Sequence, residues 1–108
     1  MKFEQLDVWK RSSRLACNTY KALANCRDYG FKDQVTRSAV SIPSNIAEGM
    51  ERDSQADQAR FLYYGKGSAG ELVTQIYIGI EIGLIERELG LKLIAESKEV
   101  ASYASGTN

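Results

Sequence analysis

Apolar residues recur three or four positions apart through four successive stretches of this chain, and nowhere does a two-residue alternation persist. That spacing lays one side of an α-helix against a core, whereas a half-buried strand needs apolar residues at every second position. The first stretch, residues 6–26, places Leu6, Trp9, Ser13, Ala16, Cys17, Tyr20, Leu23 and Ala24 on one face, with Val8, Leu15, Thr19, Ala22 and Cys26 on a narrower second stripe. Arg27-Asp28-Tyr29-Gly30 interrupts the pattern, and Gly30 suits the position just past a helix end. The second helix is expected from Lys32 or Asp33, burying Val35, Ala39, Ile42, Ile46 and Met50.

Asp53 or Ser54 then offers an N-cap, and Asp57 falls in the first turn, where the helix dipole favours an acid. The third helix runs to about Gly83, roughly 45 Å at 1.5 Å per residue. Its main face holds Phe61, Leu62, Gly65, Ser68, Ala69, Leu72, Ile76, Gly79, Ile80 and Gly83; Tyr64, Ile78 and Ile82 make a second stripe. A last helix from about Glu86 carries Leu89, Leu93, Val100 and Ala104. The fold class that follows is all-α, an up-down-up-down four-helix bundle forming a single domain over residues 1–108.

The only proline, Pro43, stands in the middle of the second helical pattern, within SAVSIPSNIAEGMER. A mid-helix proline removes a backbone donor and pushes against the carbonyl four residues back, here that of Ala39. The helix is therefore expected to be kinked or broken near Pro43, with the hydroxyls of Ser41 and Ser44 reaching backbone groups so freed. Gln34, Arg37, Ser41, Asn45 and Glu48 run along one side of this helix, adjoining its apolar face. Asn45 and Glu48 thus lie where a polar network can be shared with another helix, and Glu71, shortly after Gly67-Ser68, is its natural second member. Two readings stand side by side: a structural network that fixes helix register, and a binding site lined by Asn45, Glu48 and Glu71.

Composition narrows the function. Apolar residues make up 44% of the chain, too many for a disordered one. Fourteen basic residues balance 14 acidic ones, so the monomer has no net charge to draw it to nucleic acid or an anionic membrane. The charge is unevenly placed, however: residues 1–40 hold eight basic against four acidic side chains, leaving six against ten in the remainder. That polarity suits head-to-tail packing of subunits and an anionic ligand equally well. The opening MKFEQLDVWK is too charged for a signal peptide and no run reaches membrane-spanning length, so a cytoplasmic protein is expected, with no membrane partner. Cys17 and Cys26 lie about 180° apart around one helix and cannot pair within it. With no histidine and no Cys-x-x-Cys, no metal site, cofactor or catalytic nucleophile–base pair is expected.

The first and third helices each show apolar residues on more than the one face a four-helix core requires, so self-association is expected. Gly65, Gly67, Gly70, Gly79 and Gly83 either admit a close neighbour or leave the third helix locally loose.

Ser41-Ile42-Pro43-Ser44-Asn45-Ile46-Ala47-Glu48-Gly49, with Phe31, Gln34, Arg37 and Ala39 before it and Arg60-Phe61-Leu62, Gly67-Ser68 and Glu71-Leu72 after it, resembles the four-helix-bundle family of 23S rRNA intervening-sequence proteins. Leu6-Asp7-Val8-Trp9 and Tyr20 also fit, and the resemblance covers nearly the whole chain. A related branch comprises the accessory variability proteins of diversity-generating retroelements, ring-like pentamers that contact a reverse transcriptase and nucleic acid. The resemblance implies a homo-oligomer, a pentamer, without enzyme activity. The leading expectation is a non-catalytic scaffold or adaptor that binds other macromolecules. The alternative is an RNA- or DNA-binding accessory protein using the basic ridge Arg11, Arg14 and Lys21, with Arg37 nearby, repeated around the oligomer.

Overall fold

The computed structural model describes residues 3–104, which form a 3-10 turn (Phe3–Gln5) and four helices: α1 (Asp7–Ala22), α2 (Tyr29–Met50), α3 (Gln55–Glu81) and α4 (Arg87–Ala104). Each helix packs on the next in sequence, and α4 closes the bundle against α1. Short connections force consecutive helices to run antiparallel. The longest dimension, 43 Å, is close to the ~40 Å expected of the 27-residue α3.

The helix ends follow from local chemistry. Asp28 caps α2, its Oδ1 accepting from the Phe31 amide at 3.1 Å. The segment Arg27–Gly30 is consequently the start of α2, and Gly30 sits in its first turn, not beyond the end of α1. α1 stops earlier than its apolar pattern suggests, with Leu23 as its C-cap. Ser54 caps α3 by accepting from the Asp57 amide at 3.1 Å. At the other end of α3, Gly83 takes φ +79°, and the amides of Leu84 and Gly83 turn back to the carbonyls of Gly79 and Ile80. This paired closure needs a left-handed residue, and glycine supplies it without a Cβ clash. Glu86 opens α4, its two carboxylate oxygens accepting from the amides of Glu88 and Leu89.

Leu15, Leu23, Val35, Ala39, Ile42, Ile46, Leu72, Ile76 and Val100 are almost wholly buried and form the centre of the core. The inward faces of α2 and α3 are the ones their spacing predicts. α1 differs: its buried side combines Leu15 and Thr19 of the narrower stripe with Ala16 and Leu23 of the broader one and with Ser12, while Cys17 and Tyr20 are exposed. Ser12 and Thr19 tolerate burial because each hydroxyl donates to a carbonyl of its own helix, Trp9 at 3.1 Å and Leu15 at 2.8 Å. Ser97 of α4 does the same toward Leu93.

α2 continues as one helix through Pro43, which is buried, so the break anticipated there does not occur. The glycines divide by environment. A Cβ on Gly79 would lie 2.7 Å from Ile85 and 2.8 Å from Phe31, so its absence lets the α3–α4 turn and α2 close in. Around Gly67 and Gly70 a Cβ would meet nothing within 4 Å. Within the chain, then, close approach explains Gly79 but neither of those two.

Candidate functional site

The polar residues along one side of α2 meet α3 in a seam. Ser41 Oγ lies 2.8 Å from Ser68 Oγ, and Asn45 Nδ2 donates both to the Ser41 carbonyl (2.8 Å) and to Ser41 Oγ (3.0 Å). Gly65 of α3 faces α2 at the same level, where a Cβ would stand in ordinary contact, 3.6 Å from the Ile42 carbonyl oxygen and 3.7 Å from Asn45 Cβ. The residues around Pro43 thereby fix the position of α2 along α3.

Three other residues expected in this network lie outside it. Ser44 is exposed. Glu48 instead accepts from Arg52 Nη2 at 2.7 Å, one turn along α2, and the Arg52 guanidinium stacks over Phe61 at 4.7 Å. This pair ties the α2–α3 turn together, helped by Gln58 Nε2 donating to the Arg52 carbonyl. Glu71 is exposed on α3 and lines a groove of about 320 Å³ with Gln34, Arg37, Ser38, Ser41 and Gln75. Asn45, Glu48 and Glu71 therefore do not converge on one point.

This groove adds residues that sequence reasoning missed. Ser38 lies one turn before Ser41, and Gln75 one turn after Glu71, so both lie on faces already marked as polar. Gln75 Oε1 is buried there without a hydrogen-bond partner among the described residues. On the other side of the same α2 ridge a second groove, about 470 Å³, is lined by Tyr20, Asp33, Thr36, Arg37, Val40 and Ser41. Arg37 and Ser41 border both. What the seam offers chemically is hydrogen bonding: the hydroxyls of Ser41 and Ser68 bond each other and an amide, and the chain has no histidine to act as their base.

The basic ridge of α1 is divided. Arg11 donates from Nε (3.1 Å) and Nη2 (2.9 Å) to both carboxylate oxygens of Glu96 on α4, lies 3.7 Å from Glu99, and stacks over Tyr103 at 5.0 Å. Its guanidinium is held above its ordinary pKa, chiefly by the Glu96 hydrogen bond. Arg11 thus clamps α1 to α4. Arg14, Lys21 and Arg37 are exposed and have no ion-pair partner among the described residues. Cys17 and Cys26 are free thiols. Among the described residues no three His, Cys, Asp or Glu side chains gather as metal ligands do, and no helix is long and apolar enough to cross a membrane.

Residues 4–106 match the family of 23S rRNA-intervening sequence proteins. The chain belongs to that family. A solved structure similar to it is a protein of unknown function from the S23 ribosomal protein family of Bacteroides thetaiotaomicron VPI-5482. The two share 26% identity and a TM-score of 0.85, over 94% of this chain and 98% of the other. No curated protein matches the chain. In this family member the quoted motif is the α2–α3 seam: its serine and asparagine join the helices, and its glutamate closes the turn that follows.

Proposed function

We propose that this family member is a cytoplasmic, non-catalytic homo-oligomeric scaffold or adaptor, assembled as the five-membered ring that the family resemblance implies. The observation that carries the reading is the outer side of α3. Tyr63 is 73% exposed, Ile82 57%, and Tyr64, Tyr77 and Ile78 nearly half. Apolar side chains grouped along one helix, with no intramolecular cover, favour association, because covering them releases the water they order. The polar seam supports the same reading in another way. Its hydroxyls and amide are engaged in joining helices, which suits a rigid frame better than a reacting centre. Sedimentation velocity at micromolar concentration tests the proposal: a species of several chains is expected, and a monomer across that range defeats it.

A second reading, an RNA- or DNA-binding accessory protein working beside a nucleic-acid enzyme, draws on the exposed cations Arg14, Lys21 and Arg37. A ring multiplies these charges and creates a local field that the neutral total conceals. Binding to structured RNA should then fall steeply between about 50 and 200 mM salt, as several phosphates are neutralised per complex. Reversing the charge of Arg14 and Lys21 should abolish that binding; unchanged affinity removes these residues as the contact.

A further inference from the structure

We propose that the polar groove between α2 and α3 binds the head group of a free α-amino acid, with Arg37 taking its carboxylate and Glu71 and Gln75 its ammonium. The site is contained within one chain and does not depend on how many copies assemble. Three observations carry it.

The first is a set of polar groups left unused. Elsewhere the bundle commits the polar side chains that its helices cover. Ser12, Thr19, Thr36 and Ser97 donate to carbonyls of their own helices, and Asn45 and Ser68 are joined through Ser41. Beside that seam the pattern stops. Gln34, Arg37, Ser38, Glu71 and Gln75 border one groove of about 320 Å³, and none of their side chains has a hydrogen-bond or ion-pair partner among the described residues. Ser38 is buried, and Gln75 Oε1 is covered without any donor. A covered acceptor of this kind costs free energy, and buried polar groups are otherwise almost always bonded. The terminal torsion of a glutamine is soft, so the Gln75 amide can turn its oxygen to a ligand N–H in the groove and relieve that cost.

The second is charge. Arg37 on α2 and Glu71 on α3 border the same groove and do not pair with one another. A simple anion attracted by Arg37 meets the Glu71 carboxylate, and a simple cation attracted by Glu71 meets the guanidinium. A molecule carrying both charges satisfies both walls. Its orientation follows from the chemistry of the side chains: a guanidinium only donates and a carboxylate only accepts, so the ligand's carboxylate lies toward α2 and its ammonium toward α3.

The third is span. Ser41 touches Ser68 and the two helices run antiparallel, so Ser38 comes level with Glu71, and Gln34 with Gln75. Arg37 is then within one residue, about 1.5 Å of rise, of the level of Glu71. The two charges face each other across the groove instead of being spread along it, which suits a carboxylate and an ammonium held on one carbon. No lining residue is apolar, so the groove reads the head group and leaves the ligand's side chain to the solvent.

Nitrogen–proton NMR correlation spectra of the whole chain, titrated with L-serine, test the proposal. Saturable shifts at Ser38, Glu71 and Gln75 are expected, with a Kd on the order of 1 mM because both charges are partly screened by water. N-acetyl-L-serine lacks the ammonium and L-serinamide the carboxylate, and each should bind at least about tenfold more weakly. Either one matching L-serine overturns the inference, since a single charge would then suffice. Arg37→Gln and Glu71→Gln should each lose the shifts, while Ser44→Ala, at an exposed position outside the groove, should keep them. Gln75→Met should weaken binding although the unliganded variant melts no lower than the parent, because it sheds an acceptor that the fold leaves unpaired. Parent-like affinity in the Arg37, Glu71 or Gln75 variants overturns the assignment. So does the absence of any saturable shift up to about 20 mM L-serine, which would mean that water alone fills the groove. The same spectra establish that each variant is folded.

Discussion

Ser41 shows how a small side chain can set the relation of two long helices. It accepts from Asn45 within α2 and reaches Ser68 on α3, so its hydroxyl holds the register of α2 along its neighbour. Removing it should cost about 1 kcal/mol, the usual net worth of a neutral hydrogen bond. A double-mutant cycle of Ser41→Ala and Ser68→Ala, read by urea unfolding, should return a coupling of that order; coupling near zero would mean the two hydroxyls do not depend on one another. Gly79 works in the opposite sense, through what is missing. Its α-hydrogen faces Ile85 and Phe31, so Gly79→Ala introduces a methyl where the distances leave no room. Overpacking of this kind costs roughly 1–3 kcal/mol, more than the helix-propensity gain of alanine returns. A lower melting temperature is expected, and a higher one would contradict the packing described.

At the scale of the element, the helices owe their limits to side chains that pair with terminal backbone groups. Asp28 and Ser54 each satisfy an otherwise unpaired amide, and Asp28→Ala or Ser54→Ala should destabilise the fold by about 1 kcal/mol. Gly83→Ala should cost roughly 1–2 kcal/mol for a different reason, since an L-residue is strained at φ +79°. Chemical denaturation of these variants distinguishes caps that matter from contacts that merely exist. The Arg11–Glu96 pair joins elements distant in sequence, but both side chains are about one-third exposed, and water screens such pairs to about 1 kcal/mol or less. Its contribution should shrink further at high salt. α1 is therefore held mainly by Leu15 and its buried neighbours.

For the whole molecule, the surface left uncovered by folding is as informative as the core. The strip of Tyr63, Tyr64, Tyr77, Ile78 and Ile82 along α3 has no cover within the chain, and such a surface favours association. Sedimentation should show a multiple of the 12.0 kDa chain. Tyr64, Ile78 and Ile82 of that strip were visible in the sequence as a surplus stripe, but what would cover them was not. Periodicity tells how many apolar faces a helix has, and it carries no information about which one the rest of the chain will cover.

The division between sequence and tertiary structure runs along the range of the forces involved. The four helices, the cap at Ser54, the end of α3 near Gly83 and the inward faces of α2 and α3 were legible because each depends on residues within a few positions of one another. The motif around Pro43 likewise announced a polar seam, and Ser41, Asn45 and Ser68 do meet. Tertiary packing alone decided how α1 turned, with Leu15 and Thr19 of the narrower stripe and Ala16 and Leu23 of the broader one inward, and Ser12 and Thr19 bury their hydroxyls by bonding their own helix. It decided that Arg11 pairs with Glu96, 85 positions away, and so left the ridge of α1 to Arg14 and Lys21. It also left Glu71 across a groove from Arg37, while Glu48 paired locally with Arg52 four positions on. A local pattern sets the direction of a side chain around its own helix, but the contact it makes depends on where another helix comes to rest.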